Sequence, residues 1–185
     1  MIKIIYKTLC VILCAFWVLG ILLFITGAFH RTFIYPIKYK EIIEENCEIY
    51  GVERSLIYAI IKTESSFNSN ANSSKDAKGL MQITPSTASF IAEKLKIDSF
   101  DIYSVDDNVR FGCWYVSYLF MRFSDEHTVI SAYNAGEGRV SEWLNNKEYS
   151  VDGIRLIKIP YEETKNYVKK VMRNKNGYKR FYNLK

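Results

Sequence analysis

A chain of 185 residues has room for one membrane-length segment plus one domain with a real core. Aromatic residues make up 15%, with 14 Tyr and 11 Phe, so such a domain should be well filled and should offer stacking surface. The net charge of +5 suits an anionic partner such as a wall polymer or a membrane surface, and a lysine-rich composition without purpose accounts for it equally well; no charge block is long enough to form a tail, and no repeat is visible.

Residues 9–29 form an uncharged apolar run of 21 residues, close to the roughly 20 that span a bilayer. A cleavable signal peptide has a shorter core of roughly 7–15 apolar residues, so the run is expected to be an uncleaved anchor. Thr26-Gly27-Ala28 also fits a small-residue cleavage site and keeps a signal peptide as the alternative. Lys3 and Lys7 lie on one side of the run and Arg31, Lys38 and Lys40 on the other, so the positive-inside rule does not fix its orientation. The expected organisation is an anchor over 1–30, a short aromatic stalk over 31–37 broken by Pro36, and a folded domain over 38–185.

In that domain Tyr39, Ile42, Ile43, Cys47 and Tyr50 are apolar at helical spacing, with Gly51 as a C-terminal cap. The next helix ends at Glu64, and Ile57, Ile60, Ile61 and Glu64 share one stripe. A carboxylate on that apolar face loses solvation, which favours its neutral form and suits it to general-acid work near neutral pH. The plainer reading is a glutamate that snorkels into water. Residues 68–78 are Asn/Ser-rich, a loop expected to cross the mouth of a cleft. Thr84 reads as an N-cap with Pro85 at the first helical position, opening a helix to about Lys96.

Asp106 or Asp107 is expected to cap the most amphipathic helix, which carries Val109, Gly112, Cys113, Val116, Leu119, Phe120 and Phe123 on its packing face. A helix through Ala132-Tyr133-Asn134 stops at Gly136, and another carries Val140, Trp143 and Leu144. Residues 145–159 read as an irregular linker with brief strand pairing. Pro160 starts the last helix, with Tyr161, Thr164, Tyr167, Val168 and Val171 inward, and the basic end over 173–185 is expected to fray or lie on the surface. No segment shows sustained period-2 alternation, so the domain is mainly helical. Cys47 and Cys113 are expected as buried free thiols; a disulfide between them is open outside the cell but not fixed by sequence. His30 and His127 are isolated, and no Cys/His cluster has metal spacing.

Four motifs then stand in register: Glu64-Ser65-Ser66-Phe67, Gly79-Leu80-Met81-Gln82-Ile83-Thr84-Pro85, Ala132-Tyr133-Asn134-Ala135-Gly136, and the stretch from Ile159 to Val168. In order and spacing they resemble the lytic transglycosylase domain of the soluble-lytic-transglycosylase, goose-lysozyme-like family, over roughly residues 40–171. The resemblance implies a mainly α, lysozyme-like domain with a substrate cleft. It further implies peptidoglycan as partner, no cofactor, metal or nucleic acid, and a catalytic domain on the extracytoplasmic side of the membrane.

The activity it implies is cleavage of the β-1,4 bond between N-acetylmuramic acid and N-acetylglucosamine without water, leaving 1,6-anhydro ends, with Glu64 as general acid and then base. Most glycosidases use two carboxylates, and the motifs supply one. The sugar's own 2-acetamido oxygen and 6-hydroxyl replace the second, since a well-oriented intramolecular hydroxyl reaches an effective molarity of about 10⁵ M or more. By the same resemblance, Ser73 lies near the acetamido group, Gln82 reaches into the cleft, and Tyr133 and Asn134 line the sugar subsites. Tyr167 brings a hydroxyl near the acid, and Ser65 supports the backbone. An ordinary loop hydroxyl for Ser73 and plain core tyrosines for Tyr133 and Tyr167 are the bland alternatives. Family members often have glycine where this chain has Asp76, so the loop turns differently here, or Asp76 is a solvated turn residue or a second carboxylate. Two other functions stay open: a goose-type-lysozyme-like muramidase that delivers water, and a non-catalytic wall-binding module held at the membrane.

Overall fold

The computed structural model describes residues 2–184. The chain divides at Ile37–Lys38 into two units. In the first, α1 (Ile2–Ile25) is followed by a turn at Thr26–Gly27 and a π-helical turn, His30–Ile34. Its stretch Lys3–Ile25 is long and apolar enough to cross a bilayer. The helix thus starts ahead of the apolar run and takes in Lys3 and Lys7, whose long stems can carry their charges to an interface. It ends before Phe29 because Gly27 adopts a left-handed φ of 73°.

The second unit is all helix and loop: α2 (Lys40–Tyr50), α3 (Arg54–Glu64), α4 (Pro85–Leu95), α5 (Val105–Arg122), α6 (Glu126–Ala135), α7 (Glu137–Leu144) and α8 (Glu162–Tyr182). Among the described residues there is no strand, only isolated bridges Asn72–Lys78 and Lys78–Ile83. The hub is α3, in which every residue from Ser55 to Ile61 is buried. α8 packs along it, α2 packs on α3 and α5, and α6 bridges α5, α7 and α8. Fully buried apolar side chains such as Leu56, Ile57, Ile60 and Ile61 contribute about 1.5–3 kcal/mol each to this packing. A second cluster under α5, α6 and α7 joins Leu119, Phe123, Val129, Val140 and Trp143.

The helix ends follow local chemistry. Gly51 closes α2 in the left-handed region, with φ 64°. Thr84 accepts from the Thr87 N–H, and Pro85 needs no donor at N1. Ser104, not Asp106 or Asp107, caps α5; both aspartates fall in its first turn, where negative charge faces the positive end of the helix. Phe120 departs from the expected face and is exposed, because its neighbour Leu119 takes the core position.

The linker over 145–159 forms turns rather than strand, because the Asp152 carboxylate captures the Ile154 and Arg155 N–H groups that a ladder would need. α8 begins at Glu162, two residues later than the expected start at Pro160; Tyr161 is its N-cap with extended backbone and, rather than facing inward, lies exposed against Trp143. The basic C-terminal stretch is helical rather than frayed up to Tyr182 and lies only partly on the surface, with Arg173, Lys179 and Arg180 exposed; Lys185 falls outside the described residues. α8 runs to Tyr182 with Asn174, Lys175, Gly177 and Tyr178 buried. Lys175 is held by Glu53 and Glu126, and the Tyr178 ring lies 5.4 Å from that of Tyr58. Cys47 and Cys113 are buried free thiols in contact across α2 and α5; burial and the neighbouring sulfur push the Cys113 thiol up.

Candidate active site

Glu64 is the last residue of α3, and the chain reverses sharply after it. Ser66 and Phe67 adopt left-handed φ values of 52° and 66°. The Ser65 hydroxyl donates to the Leu80 carbonyl at 2.7 Å, pinning the end of the helix to the Gly79–Ile83 turn. From the facing helix, the Tyr167 hydroxyl donates to Glu64 Oε1 at 2.6 Å. Burial pushes the Glu64 carboxyl up to about 7, against the Tyr167 hydrogen bond and the Lys170 charge, which both pull it down. The group therefore holds a proton that it can give and retake near neutral pH.

Glu64 opens into a cavity of about 270 Å³ lined also by Ser73, Lys75, Gln82, Tyr133, Asn134 and Glu163. A second cavity of about 210 Å³ adds Thr87, Tyr115 and Gly136 and shares Gln82, Thr84, Tyr133 and Asn134 with the first. The two form one groove with the acid toward one end. The structure thus brings Glu64, Ser73, Gln82, Tyr133 and Asn134 into one cleft, with Tyr167 bonded to the acid, while Ser65 turns away into the backbone.

The hydrogen bonds already made decide what each lining group can offer. Ser73 Oγ accepts from the Lys75 and Ala77 N–H groups, so its hydroxyl proton is what it presents. Gln82 donates both amide protons to the carbonyls of Ala71 and Gly79, which leaves its oxygen as an acceptor. Asn134 accepts at Oδ1 from the Thr164 hydroxyl at 2.8 Å, which leaves its N–H groups as donors. Tyr133 gives its hydroxyl to the Met81 carbonyl at 2.8 Å and presents a ring face. Burial and the nearby Glu64 carboxyl push both the Tyr133 and Tyr167 phenols well up, so both stay protonated. An acceptor, donors and an aromatic face in one groove suit an acetamido sugar.

Several residues of the site are not evident from motif reading. Glu163 lines the cleft as a second carboxylate, exposed and paired with Lys75 at 3.0 Å. It stands one helical turn before Tyr167, and that i, i+4 spacing is the signal that places it on the same face. Asp76 does not line the cavity; it adopts the left-handed φ of 61° that glycine favours and pairs with Lys78 at 3.4 Å. Lys170 and Asn174 on α8 bind the Thr63 carbonyl and hydroxyl, fixing the residue before the acid. Among the described residues no cluster of His, Cys, Asp and Glu could hold a metal ion.

Residues 41–153, more than half of the chain, match the family described as the transglycosylase SLT domain. The soluble lytic murein transglycosylase of Salmonella typhimurium is 31% identical over 157 residues, covering 82% of this chain and 24% of that protein. Membrane-bound lytic murein transglycosylase C of Yersinia pestis is 32% identical over 169 residues, covering 78% of this chain and 47% of that protein. Among solved structures, an inactive mutant of lytic transglycosylase Slt from Pseudomonas aeruginosa superposes with a TM-score of 0.70 at 30% identity, over 80% of this chain and 25% of that one. The 70-kDa soluble lytic transglycosylase of Escherichia coli gives the same TM-score of 0.70 at 29% identity, with the same two shares of 80% and 25%. The chain spans about a quarter of the length of the soluble relatives it matches. With the apolar N-terminal helix, the membrane-bound relative points to membrane association. The fold is the mainly helical, lysozyme-like one of these transglycosylases, and the chain belongs to the transglycosylase SLT domain family.

Proposed function

We propose that this chain is a peptidoglycan lytic transglycosylase and that Glu64 is its catalytic residue. The observation that carries the reading is a half-buried carboxyl with a pKa of about 7, hydrogen-bonded to Tyr167 and facing a groove of amide and aromatic groups. Glu64 protonates the oxygen linking N-acetylmuramic acid to N-acetylglucosamine as the bond breaks. The acetamido oxygen of the muramic residue steadies the anomeric carbon, with the Asn134 N–H groups and the Gln82 oxygen holding the amide in place. Glu64, now a carboxylate, takes the proton of the 6-hydroxyl as that oxygen closes on the anomeric carbon. One C–O bond forms for the one broken, no water enters, and the product ends in 1,6-anhydro-muramic acid.

Residues 1–30 serve as a membrane anchor, 31–37 as a stalk and 38–185 as the catalytic domain, placed on the side of the membrane where the wall lies. Removal of the N-terminal segment as a signal peptide is read from the mass of the protein recovered from cells.

A water-dependent muramidase is the second reading, and Glu163 in the same cleft is the observation that favours it. The test is mass analysis of fragments released from purified peptidoglycan by the full chain. The lyase releases fragments lighter by one water and without a reducing end, and both Glu163→Gln and Asp76→Ala keep that product. Reducing-end muramic acid from the wild type, lost in Glu163→Gln, establishes the hydrolase. Full wall cleavage by Glu64→Gln overturns the assignment of the acid. No cleavage by the wild type, with glycan binding intact, leaves a wall-binding module.

A further inference from the structure

We propose that Asn108, which does not line the cleft, is a positioning residue for the Glu64 site, acting through the backbone of the Gly79–Ile83 turn. The inference rests on the transglycosylase reading above and concerns how the site is held in register.

Asn108 lies on α5 and is 1% exposed. Its Oδ1 accepts from the Met81 N–H at 2.7 Å, and its Nδ2 donates to the Lys78 carbonyl at 3.0 Å and the Ile102 carbonyl at 2.8 Å. Both amide protons are thus committed and the oxygen is engaged, and burial keeps the side chain from any ligand in the groove. The fit is close on both sides. A Cβ on Gly79, which has φ +75°, would stand 2.3 Å from Asn108 Nδ2. One turn along the same face of α5, a Cβ on Gly112 would stand 2.1 Å from the Met81 sulfur. The turn is seated against α5 by two glycine notches and by the Asn108 bonds to the Met81 N–H and the Lys78 carbonyl.

The other side of the turn faces the chemistry. The Leu80 carbonyl accepts the Ser65 hydroxyl, which caps the helix ending at Glu64. The Met81 carbonyl accepts the Tyr133 hydroxyl, which sets the ring that walls the groove. The next residue, Gln82, lines the groove with a left-handed φ of 50°. Met81 thus binds Asn108 through its N–H and Tyr133 through its carbonyl. A displacement of this turn moves the acid's helix cap, the aromatic wall and the amide together, and a misplacement near 1 Å costs up to about 100-fold in rate.

The test compares wild type with Asn108→Ala, Asn108→Ser and the isosteric Asn108→Asp in the full chain. Anhydro-fragment release is measured against pH and substrate concentration, well below each variant's melting temperature. A wild type that makes no anhydro product defeats the transglycosylase reading itself, whatever Asn108 does. Given that product, the expected result is a fall in kcat of order 10- to 100-fold with product unchanged. The alkaline limb of the rate profile, set by Glu64, should move as well. A double variant of Asn108→Asp with Tyr133→Phe should lose less than the product of the two single losses, because both act on Met81. The proposal falls if kcat and the pH limb stay at wild-type values, or if the two losses multiply independently. It falls equally if rate loss only tracks the unfolded fraction or if no variant folds, since Asn108 is then a core residue alone.

Discussion

The Tyr167 hydroxyl of α8 donates to Glu64 Oε1 of α3 across 2.6 Å, joining residues 103 positions apart. The bond favours the carboxylate form and so works against the burial that raises the acid. Glu64 sits near 7 because burial is opposed by this bond and, more weakly, by the Lys170 charge. Tyr167→Phe removes one of them. Its expected effect is a further rise in the Glu64 pKa, so the alkaline limb of activity moves to higher pH. The loss in stability should be about 1 kcal/mol, the worth of one hydrogen bond. A pH–rate profile of the variant checks this, and an unmoved limb reduces Tyr167 to a packing role.

Raising the carboxyl from 4.5 to about 7 also links stability to pH. The folded state holds the Glu64 proton more tightly than the unfolded chain does. Its contribution is therefore fully present below the unfolded value of 4.5 and is lost as pH rises through the folded value of about 7. Above that, the fold carries a half-buried charge whose cost is roughly 3 kcal/mol at most, reduced by the solvent that reaches the groove. Glu64→Gln abolishes the term. Thermal melts should show the variant gaining on wild type between pH 5 and pH 8, and parallel melting curves across that range would count against a perturbed Glu64.

What periodicity can see, it reads well in this chain. The stripes of α2, α3 and α5 mark helices by their apolar spacing, and Gly51, Thr84 and Pro85 mark ends by their own backbone chemistry. Two kinds of feature stay hidden. The end of α8 looks like a solvated basic tail, because sequence does not show that Glu53 and Glu126 converge on Lys175 from other helices. The roles of Asn108 and Thr164 depend on backbone carbonyls or on a distant amide as partners, and those carry no side-chain signature of their own. Strand pairing in the linker over 145–159 is prevented by Asp152, whose carboxylate binds local N–H groups, and nothing in the sequence pattern marks that role.

The buried end of α8 makes its own prediction. Lys175 is 5% exposed and bridges Glu53, beside the start of α3, to Glu126, in the first turn of α6. Burial tends to raise Glu53, but hydrogen bonds from Lys175, Lys179 and Ser55 outweigh it and hold the carboxyl below its usual value. Lys175→Ala takes the lysine from half-buried Glu126 and leaves Glu53 with Lys179 and Ser55 alone, and it is expected to lower stability by about 3 kcal/mol. The Glu53 contribution is present above the unfolded carboxylate pKa and lost as pH falls through the lowered folded value. The difference between variant and wild type should accordingly shrink in acid, and denaturant unfolding at pH 7 and pH 3 measures it.

The last prediction concerns which end of an amide faces the sugar. Thr164 is buried, and its hydroxyl donates to Asn134 Oδ1 at 2.8 Å, so the Asn134 N–H groups point to the groove as donors. Thr164→Val keeps shape and removes that donor, which frees the amide to turn and present its oxygen instead. An acetamido carbonyl would then meet an acceptor where it needs a donor. Loss of one such bond should raise KM for glycan strands roughly fivefold to thirtyfold. The alkaline limb should hold still, because the hydrogen bonds to Glu64 do not pass through Thr164. Thr164→Ser keeps the hydroxyl and should keep the wild-type KM. A valine variant that binds and turns over glycan like wild type would show that Asn134 does not meet the substrate as a donor.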